Sequence, residues 1–259
     1  MLIFLTQMLI YYKSNPIFFD YFQIYFCLFA TISTAAAGYV INDFFDQKID
    51  LINKAQKTII GKSISANFAI KIYIFFAVLT LIFSVFLPLQ IQIIQFFSWL
   101  ALFLYSKFLK KMALIGNLLI SVLTVFSVLL PSILTNFWNN QIILLAIFAF
   151  LLTFVRELLK DVEDIEGDKI GNCKTFPIIF GLVCSKNLLL LLLLLFIFPL
   201  FALFFLFKFC FIHLFFIGFI IYLFYFAWQI RVAKQKKDFA NLSLQAKIMM
   251  LFGLITLFL

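Results

Sequence analysis

The sequence predicts an all-α, polytopic membrane protein, and composition and hydropathy carry this prediction. Of its 259 residues, 66% are hydrophobic and 12% are charged, and the mean hydropathy is +1.16. Soluble globular domains carry about 25% charged residues, so a soluble domain is excluded. Long apolar stretches recur along the whole chain, which is typical of helices that cross a bilayer repeatedly.

Nine apolar stretches are candidate transmembrane helices, because about 20 apolar residues span the hydrocarbon core. The first and last stretches are short for complete spans. The long stretch 186–230 is divided near Lys208, since a single helix of that length would overshoot the bilayer. The N-terminal stretch lacks a charged n-region and a cleavage site, so we interpret it as a membrane segment rather than a signal peptide. The helices are expected at roughly residues 1–12, 18–41, 67–88, 89–106, 113–134, 141–158, 186–207, 209–230 and 244–259.

Basic residues divide the loops into two classes. The loops after the second, fourth, sixth and eighth predicted helices are rich in lysine or arginine, whereas the intervening loops carry almost no charge. Loops rich in positive charge face the cytoplasm, and the same rule accounts for the net charge of +9 without nucleic acid as a partner. We expect one domain over residues 1–259, with four-helix-like halves at about 1–134 and about 135–259.

Two acidic runs stand out from this apolar background. The chain has only 11 acidic residues. Both runs space aspartates as D-x-x-D-x-x-x-D, which places them on one face of a helix. The runs end the second and sixth predicted helices, so both lie on the cytoplasmic side and can face each other across a central cavity. The first run contains Asp43, Asp46 and Asp50, and the second contains Glu157, Asp161, Glu163, Asp164, Glu166 and Asp168.

The chemistry of these runs indicates a magnesium and diphosphate site. Carboxylates with no histidine or cysteine among them are hard oxygen ligands, which suit Mg²⁺. Neighbouring lysine and arginine side chains can hold the oxygens of a leaving diphosphate. In a chain this apolar we expect the diphosphate to carry a lipid tail, in a cavity that excludes water. The cations are Lys54, Lys57, Lys107, Lys110, Lys111, Arg156, Lys160, Lys169 and Lys174.

The chain resembles the UbiA-type intramembrane prenyltransferases. The resemblance rests on N-D-F-F-D-Q-K-I-D from Asn42, on K-D-V-E-D-I-E-G-D from Lys160, and on Y-S-K-F-L-K-K from Tyr105. It implies nine spans around a central cavity, a polyprenyl diphosphate donor, a hydrophobic acceptor and two Mg²⁺ ions held by the two acidic runs. It implies metal or metal–diphosphate contacts at Asn42, Asp43, Asp46, Asp161 and Asp164, with Asp50 and Asp168 completing the sites. The implied diphosphate contacts are Asn42, Lys57, Tyr105, Lys107 and Lys110, and the implied catalytic residues are Asp43, Asp46, Asp161, Asp164 and Asp168.

Two departures from the family pattern and several alternatives accompany this resemblance. The chain opens directly with Met1, without the basic lead-in of the family, and Lys57-Thr58 replaces the usual Arg-Pro. The second run is most similar to the digeranylgeranylglyceryl phosphate synthase branch, so the expected acceptor is of the geranylgeranylglyceryl phosphate type. The alternative acceptor is a quinone precursor, either dihydroxynaphthoate or 4-hydroxybenzoate. A cation transporter or an inactive family member is a more remote alternative, because transporters place ion sites near the midplane. The expected location is a bacterial inner membrane.

Overall fold

The computed structural model describes residues 2–13, 21–53, 58–206 and 210–258. In these ranges the regular structure is helical, which confirms the all-α prediction, and a short 3-10 turn at Leu109–Lys111 separates the fourth and fifth helices. The α-helices are α1 (Leu2–Lys13), α2 (Tyr21–Asn53), α3 (Ala66–Val85), α4 (Leu89–Lys107), α5 (Ile115–Thr135), α6 (Asn140–Glu163), α7 (Ile165–Ile170), α8 (Phe176–Leu195), α9 (Ile197–Leu206), α10 (Cys210–Val232) and α11 (Lys236–Phe258).

Six stretches in the described part of the chain are long and apolar enough to cross a membrane, so the chain is an integral membrane protein. A shorter apolar stretch, Phe216–Val232, lies within α10. The predicted number of nine spans therefore stays a prediction. The six stretches are Phe22–Asn53, Ala66–Val85, Leu89–Lys107, Ile115–Thr135, Asn140–Glu163 and Phe176–Ala202.

The helix α2 extends well beyond the predicted end at residue 41. Its 33 residues correspond to about 50 Å at 1.5 Å per residue, whereas the hydrocarbon core is about 30 Å thick. The helix is therefore long enough to cross the bilayer and to continue past it. Its last turns carry the first acidic run, from Asp43 to Asp50.

The helix α11 begins at Lys236, earlier than the predicted start at 244. The carboxylate of Asp238 accepts backbone N–H bonds of 2.9 Å from both Lys234 and Gln235. An acidic residue in the first turn that reaches back to the N-cap satisfies N–H groups that the helix leaves unpaired. These two hydrogen bonds hold the pKa of Asp238 below its usual value.

The two helices that carry the acidic runs are also the most buried of the candidate spans. In the most apolar window of each span, 56% of α2 and 67% of α6 is buried, against 17% of α3 and of α4. The helix α6 packs against α5, α8, α9 and α11, whereas α3 and α4 pack around α2. Because α1 contacts α2 as well as α5 and α11, the packing gives no clean boundary between the two predicted halves.

A buried polar network joins α1, α2 and α4. The amide of Gln7 donates to the hydroxyl of Thr31 at 3.3 Å, and the amide of Gln95 donates to the same hydroxyl at 2.9 Å. The hydroxyl of Thr34 donates to the side-chain oxygen of Gln95 at 3.0 Å. Apolar burial gives membrane helices little driving force to associate, so hydrogen bonds such as these, each contributing about 0.6–2 kcal/mol, stabilise the bundle.

Candidate active site

The first acidic run forms a cluster with a lysine from the 3-10 turn. Lys110 makes an ion pair with Asp46 and donates a 3.2 Å hydrogen bond to the side-chain oxygen of Asn42. The amide of Asn42 in turn donates to Asp46 at 2.9 Å, across one turn of α2. The structure thus brings together three of the predicted site residues. The side chains of Asp46 and Lys110 are only 14% and 11% exposed, so water screens their attraction less than at an open surface.

A glycine allows Lys110 to lie this close to the next helix. A Cβ atom on Gly116, in the first turn of α5, would lie 2.9 Å from the Cα of Lys110 and 3.1 Å from the ring of Tyr105. Any larger residue would therefore push the 3-10 turn away from α5. Gly116 is in this way part of the support that fixes the position of the Lys110 ammonium.

The same turn is tied to the segment that follows the second run. The backbone N–H of Lys174 donates to the carbonyl of Lys111 at 2.7 Å, and Met112 forms an isolated parallel bridge with Lys174. Lys111 and Lys174 were predicted as diphosphate-binding cations, and they are neighbours through their backbones. This short pairing holds the chain after the second run beside the cations of the α4–α5 connection.

The second acidic run does not lie on one continuous helix, so the prediction of a single helical face is wrong for this run. Asp161 lies in the last turn of α6, Asp164 stands at the junction with φ −98° and ψ 9°, and Asp168 lies in α7. Backbone hydrogen bonds still bridge the junction, from Asp164 N–H to Lys160 at 2.8 Å and from Asp168 N–H to Asp164 at 3.0 Å. The junction is therefore a local bend rather than a loop.

Asp161 is held by a neutral partner. The side-chain amide of Asn117, which is buried in α5, donates to the Asp161 carboxylate at 2.8 Å. One turn earlier on α6, the buried Glu157 pairs with Arg156 at 2.6 Å and with Lys160 at 3.3 Å. The cations expected to precede the second run thus neutralise Glu157 in this structure.

Tyr105 lies beside Lys110, since both border the position that a Cβ atom on Gly116 would take. Cys173 follows the second run, and its backbone N–H donates to the carbonyl of Asp168 at 2.9 Å. Burial, and to a lesser degree the charge of Asp168, raises the pKa of the Cys173 thiol to about 11, while Lys111 and Lys110 oppose the rise. Cys173 is therefore a neutral thiol near pH 7 and a poor metal ligand.

Other predicted residues lie elsewhere or outside the described part. Lys107 is exposed, and its ammonium is 4.9 Å from the ring centre of Phe108 and 5.9 Å from that of Phe103. Asp43 is exposed, whereas Asp50, Asp164 and Asp168 are half-buried. Lys57 and Lys54 fall outside the described residues.

The donor groups fit a hard divalent cation in their chemistry, since the two runs offer carboxylate and amide oxygens. Among the residues that the structure describes, no three acidic, histidine or cysteine side chains are grouped closely enough to hold a metal ion. Asp46 instead faces the ammonium of Lys110.

Comparison with known proteins decides the family. Residues 2–251 match the UbiA prenyltransferase family. The chain belongs to this family. The resemblance predicted from the two acidic runs and from Tyr105–Lys111 is thereby confirmed. The all-helical membrane fold follows the same family pattern.

Among UbiA family members, digeranylgeranylglyceryl phosphate synthases are similar to this chain. The enzyme of Saccharolobus solfataricus is 34% identical over 196 residues, which cover 73% of this chain and 64% of the relative. That of Methanobrevibacter smithii is 39% identical over 163 residues, covering 60% and 57%. These two matches span less than two thirds of the relatives' length. The enzyme of Methanosphaera stadtmanae is 29% identical over 231 residues, covering 89% and 84%.

Solved structures support the UbiA fold. A structure of digeranylgeranylglyceryl phosphate synthase in membranes superposes with a TM-score of 0.75 at 27% identity, covering 98% of this chain and 91% of that one. A UbiA homologue from Archaeoglobus fulgidus bound to DMAPP and Mg²⁺ gives a TM-score of 0.67 at 15% identity, covering 99% and 96%. This second likeness supports the fold alone. The relatives are archaeal, so the bacterial membrane stays a prediction.

Two residues near the acidic runs were missed by sequence reasoning. Asn117 is an isolated polar residue in an apolar helix, and nothing in its local sequence indicates its partner 44 positions away. Asn53 contacts the second run from the end of α2. A signal was available for Asn53, because it follows Asp50 by three positions on the same helix and so continues the polar end of the first run.

Proposed function

We propose that this chain is a Mg²⁺-dependent prenyltransferase. In the proposed reaction, the bond between the allylic carbon of a polyprenyl diphosphate and its diphosphate oxygen breaks, and a nucleophilic atom of a lipid-soluble acceptor bonds to that carbon. Inorganic diphosphate and a proton are released. The observation that carries this proposal is that the two runs lie side by side: Asn53, at the end of the helix that carries the first run, contacts Asp164 and Gly167 of the second run at 3.2 and 3.1 Å, and Lys110 contacts Asp46 and Asn42 of the first.

Mg²⁺ would neutralise the diphosphate oxygens when bound, and we propose two ions. The first run would hold one ion and the second run the other. The oxygen-only donor set supports this choice of metal. The proposed ligands are Asn42, Asp43, Asp46, Asp50, Asp161, Asp164 and Asp168.

The chain's own residues would bind and orient the donor. The Lys110 ammonium, set in position by Asn42 and Asp46, would stabilise the charge that develops on the leaving diphosphate. Lys57, Lys107 and Tyr105 are proposed as further contacts with the diphosphate. The Asn117 amide would fix the orientation of the Asp161 carboxylate, and apolar walls would exclude the water that quenches an allylic cation.

The proposed acceptor is geranylgeranylglyceryl phosphate or a close analogue. Support comes from the archaeal relatives and from the 27%-identical structure, which are named digeranylgeranylglyceryl phosphate synthases. In such an acceptor a free glycerol hydroxyl would attack the allylic carbon. In an aromatic quinone precursor, a ring carbon would instead attack the allylic carbon in the same cavity.

The proposed topology has nine crossings around a central cavity, in one domain with two halves, and the site faces the cytoplasm. Support for the orientation comes from the basic loops, because loops rich in lysine face the cytoplasm. The 3-10 turn with Lys110 and Lys111 and the connection with Lys169 and Lys174 both belong to that class of loop.

The test uses the full-length protein, purified in detergent and returned to lipid vesicles. Geranylgeranyl diphosphate is supplied with Mg²⁺ and one acceptor at a time: geranylgeranylglyceryl phosphate, dihydroxynaphthoate or 4-hydroxybenzoate. We expect diphosphate release and a prenylated lipid only with the first acceptor, and loss of both when the metal is removed with EDTA. Prenylated dihydroxynaphthoate or 4-hydroxybenzoate would redirect the acceptor proposal. Diphosphate release that is absent with all three, together with metal uptake into the vesicles, would indicate a transporter.

A further inference from the structure

Asn53, the last residue of α2, joins the end of the first acidic run to the second. Its side-chain amide donates to the backbone carbonyl of Asp164 at 3.2 Å, and its side-chain oxygen accepts the backbone N–H of Gly167 at 3.1 Å. We propose that Asn53 is a positioning residue that prepares the second run for metal binding. The proposal rests on the proposed metal-dependent function.

The contact with Gly167 replaces a helix cap. The first N–H groups of any helix lack an acceptor within the helix, and the side chain of the N-cap residue usually supplies one. Asp164 is the N-cap of α7, but its side chain makes no cap hydrogen bond. The oxygen of Asn53 takes that place from another helix, so the Asp164 carboxylate is not used to cap α7.

The approach of Asn53 depends on the missing side chain at Gly167. A Cβ atom there would lie 2.4 Å from the amide nitrogen of Asn53 and 2.7 Å from its oxygen. Gly167 is buried, so the carboxamide has little room to move aside. Only a glycine at position 167 therefore leaves room for the carboxamide of Asn53.

A lysine completes the arrangement from the C-terminal part of the bundle. The ammonium of Lys236, at the start of α11, lies 3.3 Å from the side-chain oxygen of Asn53 and 3.4 Å from its backbone carbonyl. Carbonyls in the last turn of a helix lack intrahelical partners, and a cation there is favourable. Asn53 is thereby held by α11 while it holds the α6–α7 junction.

Removal of the carboxamide should change the role of Asp164. In Asn53→Ala the N–H of Gly167 loses its acceptor, and aspartate is among the side chains that cap helices best. We therefore expect Asp164 to turn onto its own helix and leave the metal site. Loss of a group that orients a metal ligand typically lowers metal affinity 10–100-fold.

The experiment measures binding of Mn²⁺, a paramagnetic substitute for Mg²⁺, by electron paramagnetic resonance on the full-length protein with geranylgeranyl diphosphate present. We expect Asn53→Ala to raise the dissociation constant about 10–100-fold. Asn53→Asp keeps an acceptor for Gly167 and Lys236 but loses the donor to the Asp164 carbonyl, so its dissociation constant should lie between those of wild type and Asn53→Ala. Gly167→Ala should resemble Asn53→Ala, and the double variant should be no weaker than either single variant, because both remove one contact. Asn241→Ala, at an exposed position on α11, is the matched control.

The outcomes separate this inference from the proposed function. In Asn53→Ala, an unchanged dissociation constant together with an unchanged number of bound ions per folded protein would overturn the positioning role. Wild-type protein that binds no Mn²⁺ would overturn it as well, by removing the site. A clear Asn53 effect on Mn²⁺ in a protein that transfers no prenyl group would refute the proposed reaction and leave the positioning role standing.

Discussion

The two acidic runs have the same spacing but different surroundings. The first lies on the continuous helix α2, and its Asp46 is paired with the ammonium of Lys110. The second bends at Asp164, and its Asp161 is held by the uncharged amide of Asn117. The first run is thus paired with a cation before any ligand binds, whereas Asp161 is oriented by a neutral amide. We infer that the first run serves both a metal ion and, through Lys110, the diphosphate, whereas the second run serves a metal ion alone.

The largest effect is expected for Asp161→Asn. The substitution keeps the shape of the side chain but removes the carboxyl group that we propose as a metal ligand. A metal contact contributes several kcal/mol to the transition state, so we expect diphosphate release to fall about 10³-fold. The measurement is diphosphate release at saturating Mg²⁺, with thermal unfolding in detergent to verify the fold. Activity within tenfold of wild type would contradict the role of Asp161.

An intermediate effect is expected for Lys110→Met. The variant removes a charge-assisted contact with the diphosphate, and such contacts are worth about 1.5–3 kcal/mol, which is about 10–100-fold in kcat/KM. We expect the loss mainly in the KM for geranylgeranyl diphosphate. Lys71→Met, which removes an exposed lysine of α3, is the control. Equal losses in the two lysine variants would mean that overall charge, not the Asn42–Asp46–Lys110 cluster, binds the donor.

The smallest effect is expected for Asn117→Ala. The Asp161 carboxyl group remains and loses only its orienting hydrogen bond from Asn117. We expect the Mg²⁺ concentration for half-maximal rate to rise about tenfold, at the low end for groups that orient metal ligands, with little change in the rate at saturating Mg²⁺. Diphosphate release is measured over a Mg²⁺ titration. If the KM for the donor rises while the metal dependence stays constant, the proposed division of labour between the runs is wrong.

Sequence reasoning found the family, and it predicted the two acidic runs as the site, because charge is scarce in an apolar chain. Acidic residues such as Asp46 and Asp161 are costly in a membrane protein unless they serve a function, so their positions are informative. The extent of α2 was missed because hydropathy falls at Asn42 while the helix continues. Hydropathy reports contact with hydrocarbon, and a helix outside the hydrocarbon leaves no such signal.

The remaining differences concern contacts between residues far apart in sequence. Asp164 occupies the same place in its run as Asp46, yet only one of them ends a helix. The bend accompanies the bonds from Asn53, which lies 111 positions away from Asp164. Hydrophobic periodicity and motif spacing describe only nearby residues, so they cannot predict the contact of Asn53 with Asp164 or that of Asn117 with Asp161.

The network of Gln7, Thr31, Thr34 and Gln95 limits which substitutions this chain can tolerate. With 40 phenylalanines among 259 residues, the chain accommodates large apolar side chains at many positions that face lipid. A change of Thr31 to an apolar residue would remove the acceptor of the Gln95 amide and leave the Gln7 amide with only the carbonyl of Ser127, and an unpaired polar group is costly to bury. We therefore expect substitution by phenylalanine or leucine to be tolerated on the outer helix faces but not at these interior positions.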